Sequence, residues 1–306
     1  MTDTHAAPRP LAKATQLITS RDNPLVQRLR KHAQDPAAYR KLGEVWLEGD
    51  HLCSACLARE VPVPLAVIAD TAWLGEHGVA ASSDEQARRL SEIARQADKV
   101  VVVPEALWKG LTALESPAKI GFLLSGRLAG AKSSNLAEGV APVDALQAGE
   151  SGSIRPGLRT VVLDRVQDAG NVGSILRSAS AMGFAQVVAI KGTAALWSAK
   201  VLRAGMGAHF ALHLIEQASP ADLSQLAVPL VATSSHTDQL LHTALLPDPC
   251  AWVMGHEGQG VGASVMSQCQ LAVAIPQPGG EESLNVAAAA AICLYESLRR
   301  RVSSIT

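Results

Sequence analysis

The stretch that decides the fold is LDRVQDAGNVGSILRSASAMGF, Leu163–Phe184. An apolar run, Thr160–Leu163, leads into a polar loop and then a helical pattern over Asn171–Met182. A second apolar run, Gln186–Ile190, follows closely. Strand, loop, helix and strand in that order form the unit of a parallel sheet. Asn171 suits an N-cap, because its side-chain oxygen accepts a free backbone N–H. Gly170 and Gly173 permit a tight turn with open space above it. Arg177 sits among Ile175, Leu176 and Ala179, and a fork of donors aimed into a cleft there suits a phosphate. A capped helix with a surface arginine explains the same letters.

The pattern continues in both directions. Trp197–Ala204 reads as a helix, Val228–Ala232, Ala251–Met254 and Gln270–Ile275 as strands, and Leu284–Arg300 as the last helix. That helix carries Leu284, Ala288, Ala291, Leu294, Tyr295 and Leu298 at helical period. The alternation predicts an α/β fold, a mainly parallel sheet with helices on both faces. Two further segments stand out. In AWVMGHEGQGVG, Ala251–Gly262, a strand opens into a glycine-rich loop. Glu257 then lies at the strand's C-terminal end, where α/β proteins place ligands. The dinucleotide fingerprint GxGxxG is not spelled there, and the loop comes late in its domain. In IPQPGGEESLNVAAAAAICLYE, Ile275–Glu296, Ser283 and Asn285 cluster where free helix N–H groups favour negative charge. Each is equally readable as a cap.

The 306 residues suggest two domains. Residues 1–16 read as a loose tail, 17–127 as a small α/β domain, 128–157 as a Gly/Ala/Ser/Pro-rich linker and 158–306 as the larger α/β domain. In the small domain, Pro24–Lys31, Asp50–Arg59 and Glu85–Gln96 read as helices and Leu65–Ala69, Val100–Val103 and Ile120–Leu124 as strands. Formal net charge is −1, whereas a domain that merely coats nucleic acid is usually clearly basic, so the global charge argues mildly against an RNA partner and the case rests on local sites. Locally, Arg21, Arg28, Arg30, Lys31, Arg40 and Lys41 face only Asp22 and Asp35 between Thr19 and Gly43. Such a stretch suits RNA phosphates or an ordinary solvated helix face. Five cysteines are an odd count and imply no disulfide framework. Cys53 and Cys56 form a CxxC without a second ligand pair, so no metal is expected and helix packing is. No signal peptide is apparent, and the longest apolar stretch, Val286–Leu294, is too short to span a bilayer. A cytoplasmic protein off the membrane is expected.

The three segments together resemble the three motifs of the SpoU-type (TrmH-like) RNA 2′-O-ribose methyltransferases of the SPOUT superfamily. NVGSILRSA resembles the first, VMGHEGQGV the second and IPQPGGEESLNVAAAAAICLYE the third, in the right order. KVLRAGMGAHF, Lys200–Phe210, resembles the segment before the second motif, with Gly205 and Met206 where serine or alanine is common. Gln277 and Pro278 replace more usual residues in the third. More weakly, ITSRDNPLVQRLRK and GEVWLEGDHL resemble the ribosomal-protein-like RNA-binding domain of many members. The resemblance implies a deep trefoil knot. It implies S-adenosylmethionine held by Met254, Gly255, Gly260, Ile275, Pro276, Ser283 and Leu284, and a homodimer with shared RNA sites. By position Arg177 is the matched catalytic residue, with Asn171, Glu257, Ser283 and Asn285 around it. The implied activity is methylation of a ribose 2′-hydroxyl in structured RNA, ribosomal RNA ahead of transfer RNA. Two other readings stand beside it: a non-catalytic RNA-binding or assembly factor of the same fold, and a nicotinamide- or nucleotide-dependent enzyme.

Overall fold

The computed structural model describes residues 15–112, 118–125, 153–234, 237–279 and 283–303. Of the expected tail and linker, residues 1–14 and 128–152 lie outside these. The chain divides into two compact units, Met1–Ala131 and Lys132–Thr306.

The first unit contains β1 (Thr15–Leu17), α1 (Pro24–Gln34), α2 (Ala38–Leu42), β2 (Glu44–Glu48), α3 (Asp50–Ala58), β3 (Leu65–Ala69), α4 (Glu85–Ala94), β4 (Lys99–Val103), α5 (Glu105–Trp108) and β5 (Ile120–Ser125). Its sheet runs β1-β4-β3-β5-β2. β1, β4 and β3 are parallel, while β5 is antiparallel to β3 and β2. Thr15 and Gln16, at the end of the expected tail, already pair with β4. Helix α1 starts where the sequence dictates. The Asn23 side chain accepts from Leu25 N–H at 2.9 Å, and Pro24 needs no N–H partner in the first turn. Its buried stripe is Leu25, Val26 and Leu29. Cys53 and Cys56 are buried on α3; burial, then the neighbouring Cys56, pushes the Cys53 thiol well above its ordinary range.

The second unit contains β6 (Thr160–Asp164), α6 (Ala169–Ala181), β7 (Gln186–Ile190), α7 (Ala199–Gly205), β8 (His213–Ala218), β9 (Leu230–Thr233), β10 (Ala251–Gly255), α8 (Ala263–Met266), β11 (Leu271–Val273) and α9 (Val286–Ser303). All pairings in its sheet, ordered β11-β9-β10-β6-β7-β8, are parallel. Every residue of β6, β7 and β10 is buried, as strands covered on both faces require. Strand β8 was not expected. Glu216 and Gln217 interrupt its apolar run, Gln217 has φ +59, and a register shift between Val188 and Ile190 accommodates it at the sheet edge. Ile154 is buried in the same core, and the Arg155 N–H donates to Gln186 Oε1 at 2.8 Å.

Helices α6 and α7 cross closely. A Cβ on Gly173 would fall 2.8 Å from Gly205 N and Val201 O. Gly205 faces His209: a Cβ there would lie 2.6 Å from His209 Cε1. The imidazole thus fills space that the missing side chain leaves. Its Nε2 lies 2.8 Å from Leu196 O, and its ring sits 5.1 Å from the Trp197 ring.

Burial lowers the His209 pKa from 6.5 to about 4, against the opposing Leu196 carbonyl. Between these values the unfolded chain binds a proton that the folded unit refuses. Stability is therefore full above pH 6.5 and falls as the pH drops towards 4, by up to about 3 kcal/mol. His209→Gln, which keeps a donor for Leu196 O, is expected to flatten this part of the stability–pH curve. Urea denaturation between pH 4 and 7 checks it; identical curves for variant and parent would refute the assignment.

Candidate active site

The loops that follow β6 and β10 and the turn that precedes α9 are joined by one chain of hydrogen bonds. The N-cap of α6 is Asp168, whose Oδ1 accepts from Asn171 N–H at 2.7 Å. This corrects the expectation that Asn171 caps the helix. The helix begins earlier because Asp168 accepts that N–H, and the Asn171 side chain is left free. Asn171 Nδ2 donates to Glu257 Oε1 at 3.2 Å. Asn285 Nδ2 donates to Asn171 Oδ1 at 3.0 Å. Asn285 Oδ1 in turn accepts from Ala287 and Ala288 N–H at 2.9 and 3.2 Å and so caps α9. Glu257 also accepts from Gln167 N–H at 3.2 Å and Asp168 N–H at 3.1 Å. Burial alone would raise the Glu257 pKa, but the backbone N–H groups of Glu257, Asp168 and Gln167 and the Asn171 amide outweigh it and hold the carboxyl below its ordinary value.

The loop after β10 is tight. His256 and Gly260 exchange backbone hydrogen bonds at 3.0 and 2.8 Å, and His256 Nδ1 accepts from Gly258 and Gln259 N–H. Gly260 has φ +66, and a Cβ on Gly255 would collide with the Gly260 and Val261 backbone. Met254 is buried in β10 beside Gly255. Ile275 and Pro276 follow β11, and Leu284, a partly exposed apolar side chain, precedes α9. Ser283 is exposed and bonds to no described residue. In the turn between Pro276 and Pro278, Gln277 Oε1 is buried without a hydrogen-bond partner among the described residues.

Arg177 stands apart from this chain of bonds. It lies on the exposed stripe of α6 with Gly170, Ser174 and Ala181, while Ile175, Leu176 and Ala179 are buried. At 3.6 residues per turn, Asn171 and Arg177 present different faces of the helix. No described residue pairs with its guanidinium. The apolar flanks are the core side of an amphipathic helix, so they are no sign of a cleft around the arginine. Of the basic stretch in the first unit, Arg21, Lys31 and Lys41 are exposed. Arg28 bonds to Glu44 at 3.0 Å, Arg30 is half-buried, and Arg40 is half-buried with its guanidinium 5.3 Å from the Tyr39 ring. Sequence reasoning missed Asp168, because Asn171 offered a cap at nearly the same place. A separate hollow of about 190 Å³, lined by Leu246, Pro247, Asp248, Ser297, Arg300 and Arg301, lies at the opposite end of β10 and α9. There Asp248 is paired with Arg159 and Arg300 with Glu296.

An all-parallel sheet with a glycine loop, a carboxylate and two asparagines at its C-terminal strand ends defines a ligand-binding α/β domain. Residues 159–295 match the model of the SpoU rRNA Methylase family. Over 145 residues the chain is 37% identical to the Bordetella pertussis 23S rRNA (guanosine-2′-O-)-methyltransferase RlmB, covering 46% of this chain and 59% of that protein. It is 34% identical over 140 residues to the Bacillus subtilis 23S rRNA (guanosine(2553)-2′-O)-methyltransferase RlmP, covering 45% and 56%. The chain thus spans less than two thirds of the length of the curated relatives it matches. A solved RNA 2′-O ribose methyltransferase is similar over 94% of this chain and 100% of its own, with TM-score 0.67 and 26% identity. The Sinorhizobium meliloti rRNA methyltransferase shares the fold, with TM-score 0.68, 24% identity and coverage of 94% and 98%.

The cap at Asn285 is directly testable. Asn285→Ala should cost about 1 kcal/mol of stability. Asn285→Asp keeps an acceptor for Ala287 and Ala288 and should lose much less, although it sets an oxygen against Asn171 Oδ1. Urea midpoints of the two variants separate cap from bridge; an alanine variant as stable as the aspartate one would contradict the geometry.

Proposed function

We propose that this chain is a methyltransferase that uses S-adenosylmethionine to methylate a ribose 2′-hydroxyl in structured RNA, with large-subunit ribosomal RNA as the favoured substrate. The observation that carries the reading is the chain Glu257–Asn171–Asn285, which joins all three motif segments at one end of the sheet. Similarity to relatives named for 23S rRNA supports the choice of RNA. The residues present fit the cofactor. Among the described residues Gln277 Oε1 is a buried acceptor without a donor, and an adenosine offers amino and hydroxyl donors. Met254, Gly255, Gly260, Ile275, Pro276, Ser283 and Leu284 would hold it. When bound it supplies an electrophilic methyl group.

The chain's own residues must position the ribose oxygen and stabilise its developing charge. Arg177 suits a phosphate clamp that also stabilises the forming alkoxide. A guanidinium scarcely loses its proton, so it is a poor base. Asn171, Glu257 and Asn285 hold the surrounding loops, and Ser283 is exposed just before α9, where it is free to meet a ligand. Arg177 faces away from Asn171, and α9 carries an exposed apolar stripe with Ile292, Tyr295 and Val302. Both features support a homodimer in which two copies complete the RNA site. Threading of the C-terminal segment as a trefoil knot, a ribosomal-protein-like first unit that selects RNA through Arg21, Arg28, Arg30, Lys31, Arg40 and Lys41, and a cytoplasmic location belong to the same proposal. Among the described residues no helix is long and apolar enough to cross a membrane, and no side-chain cluster suits a metal.

S-adenosylmethionine, but not NAD, is expected to raise the melting temperature, and tritiated methyl should pass to ribosomal RNA in preference to transfer RNA. Absence of both effects would exclude the enzyme and favour a non-catalytic RNA-binding factor. Arg177→Ala should leave cofactor affinity within about twofold and lower turnover by 100-fold or more, to about the level expected for loss of an oxyanion-stabilising donor. Full turnover by Arg177→Lys would rule out a bidentate role. Charge reversal at Lys31 and Lys41 should weaken RNA binding and shallow its salt dependence by about one log–log unit per lost phosphate contact. Arg28→Glu should do less, since Glu44 already occupies that guanidinium. RNA affinity unchanged by all three reversals would clear this face of the role.

A further inference from the structure

The loop after β10 is held on two sides. Glu257 fastens one side to the start of α6. The other side rests on Asp164 and Arg165, at the end of β6. Asp164 is 2% exposed, and its Oδ2 accepts from Gly262 N–H at 2.6 Å. Arg165 folds back onto the same carboxylate, Nε to Oδ1 at 3.0 Å and Nη2 to Oδ2 at 3.3 Å. Its Nη1 reaches on to Gln259 Oε1 at 3.1 Å.

The backbone of Arg165 is at φ +60, a region that non-glycine residues enter at some cost. It is held there by Thr193, whose Oγ1 accepts the Arg165 N–H at 3.1 Å and donates to Leu163 O at 2.9 Å. Two glycines leave a slot for the side chain. A Cβ on Gly192 would lie 3.2 Å from Arg165 Cγ, and one on Gly262 would lie 2.9 Å from Nη2. A strained backbone, a buried carboxylate and a slot between two glycines are more than a solvated arginine requires.

We propose that Arg165 is a positioning residue: with Asp164 it presets the backbone of Gln259–Gly262 in the arrangement that receives the cofactor. The inference rests on the reading that this loop binds S-adenosylmethionine. Glu257 is held by donors that do not involve Arg165. Losing the arginine therefore frees Gln259 and leaves the Asp164 carboxylate that holds Gly262 without its brace, while the Glu257–Asn171–Asn285 chain stays in place. The effect falls on cofactor binding and spares turnover.

The test uses the full chain, calorimetric binding of S-adenosylmethionine, methyl transfer to ribosomal RNA, and hydrogen–deuterium exchange of residues 256–262 without ligand. Arg165→Ala is expected to raise the cofactor Kd and KM about tenfold, as loss of a supporting partner typically does. It should keep kcat and the RNA KM within about twofold and exchange faster over Gln259–Gly262. Arg165→Lys, which pairs with Asp164 but cannot also span to Gln259, should fall between. Gln259→Ala removes only the exposed outer arm, leaves the core untouched and should raise Kd about threefold. Wild-type Kd and exchange in both alanine variants would overturn the inference while leaving the enzyme reading intact. A fall in kcat at unchanged Kd would equally overturn it. A parent protein that neither binds the cofactor nor transfers methyl would sink the enzyme reading first, and the inference with it.

Discussion

Glu257 can only accept hydrogen bonds while it is ionised, and that constraint orders everything downstream of it. A carboxylate facing Asn171 leaves the amide a single orientation, Nδ2 towards Glu257 and Oδ1 away. Asn285 must then offer Nδ2 to Asn171, which turns its own Oδ1 to the free N–H groups of α9. Protonation state, two amide orientations and a helix cap are thus one coupled choice. The donors that hold the Glu257 pKa down are what keep the choice fixed: its own backbone N–H, those of Asp168 and Gln167 before α6, and the Asn171 amide within it. Rigid backbone supports the site, and the site in turn joins segments far apart in sequence.

The sheet explains why this coupling is available. With every strand of the second unit parallel, all connections emerge at the same end of the strands before crossing back. Loops after β6 and β10 become neighbours because β6 and β10 pair directly, Asp164 beside Gly255. The most buried strands are also the most legible in sequence: Val187–Ile190 and Ala251–Met254 are unbroken apolar runs, and two-sided burial demands such runs. Edge strand β8 was illegible for the converse reason. It is less covered, tolerates Glu216 and Gln217, and depends on a register shift that no local pattern encodes.

The site was legible in part. The sequence marks Asn171 and Asn285 at helix starts and Glu257 at the C-terminal end of a strand, and the three meet. Their identity as a chain, and its direction, required coordinates, because hydrogen-bond polarity depends on partners far away in sequence. Asp168 was hidden by Asn171, since either residue caps a helix and only the backbone path decides between them. Arg177 was read as cleft-directed because its flanks are apolar, yet those flanks are spaced for the core side of the helix. In the first unit the basic stretch was legible as charge and illegible as surface: Glu44, which takes up Arg28, lies on β2, beyond the stretch that was weighed.

Close packing bears on how the site can work. Gly173 admits α7, Gly205 admits His209, and Gly192 with Gly262 admits Arg165. In each case a missing side chain on one element makes room for a specific atom on another, so the elements are located by steric limits as well as by hydrogen bonds. Interiors of this kind have few soft directions. A domain that must bring a donor and an acceptor into line within a fraction of an ångström benefits from having its loops fixed in advance, because entropy lost on folding need not be lost again on binding. Gln277 is one place where a buried polar atom is left over. Its buried oxygen has no partner among the described residues, a polar requirement that a ligand donor would meet.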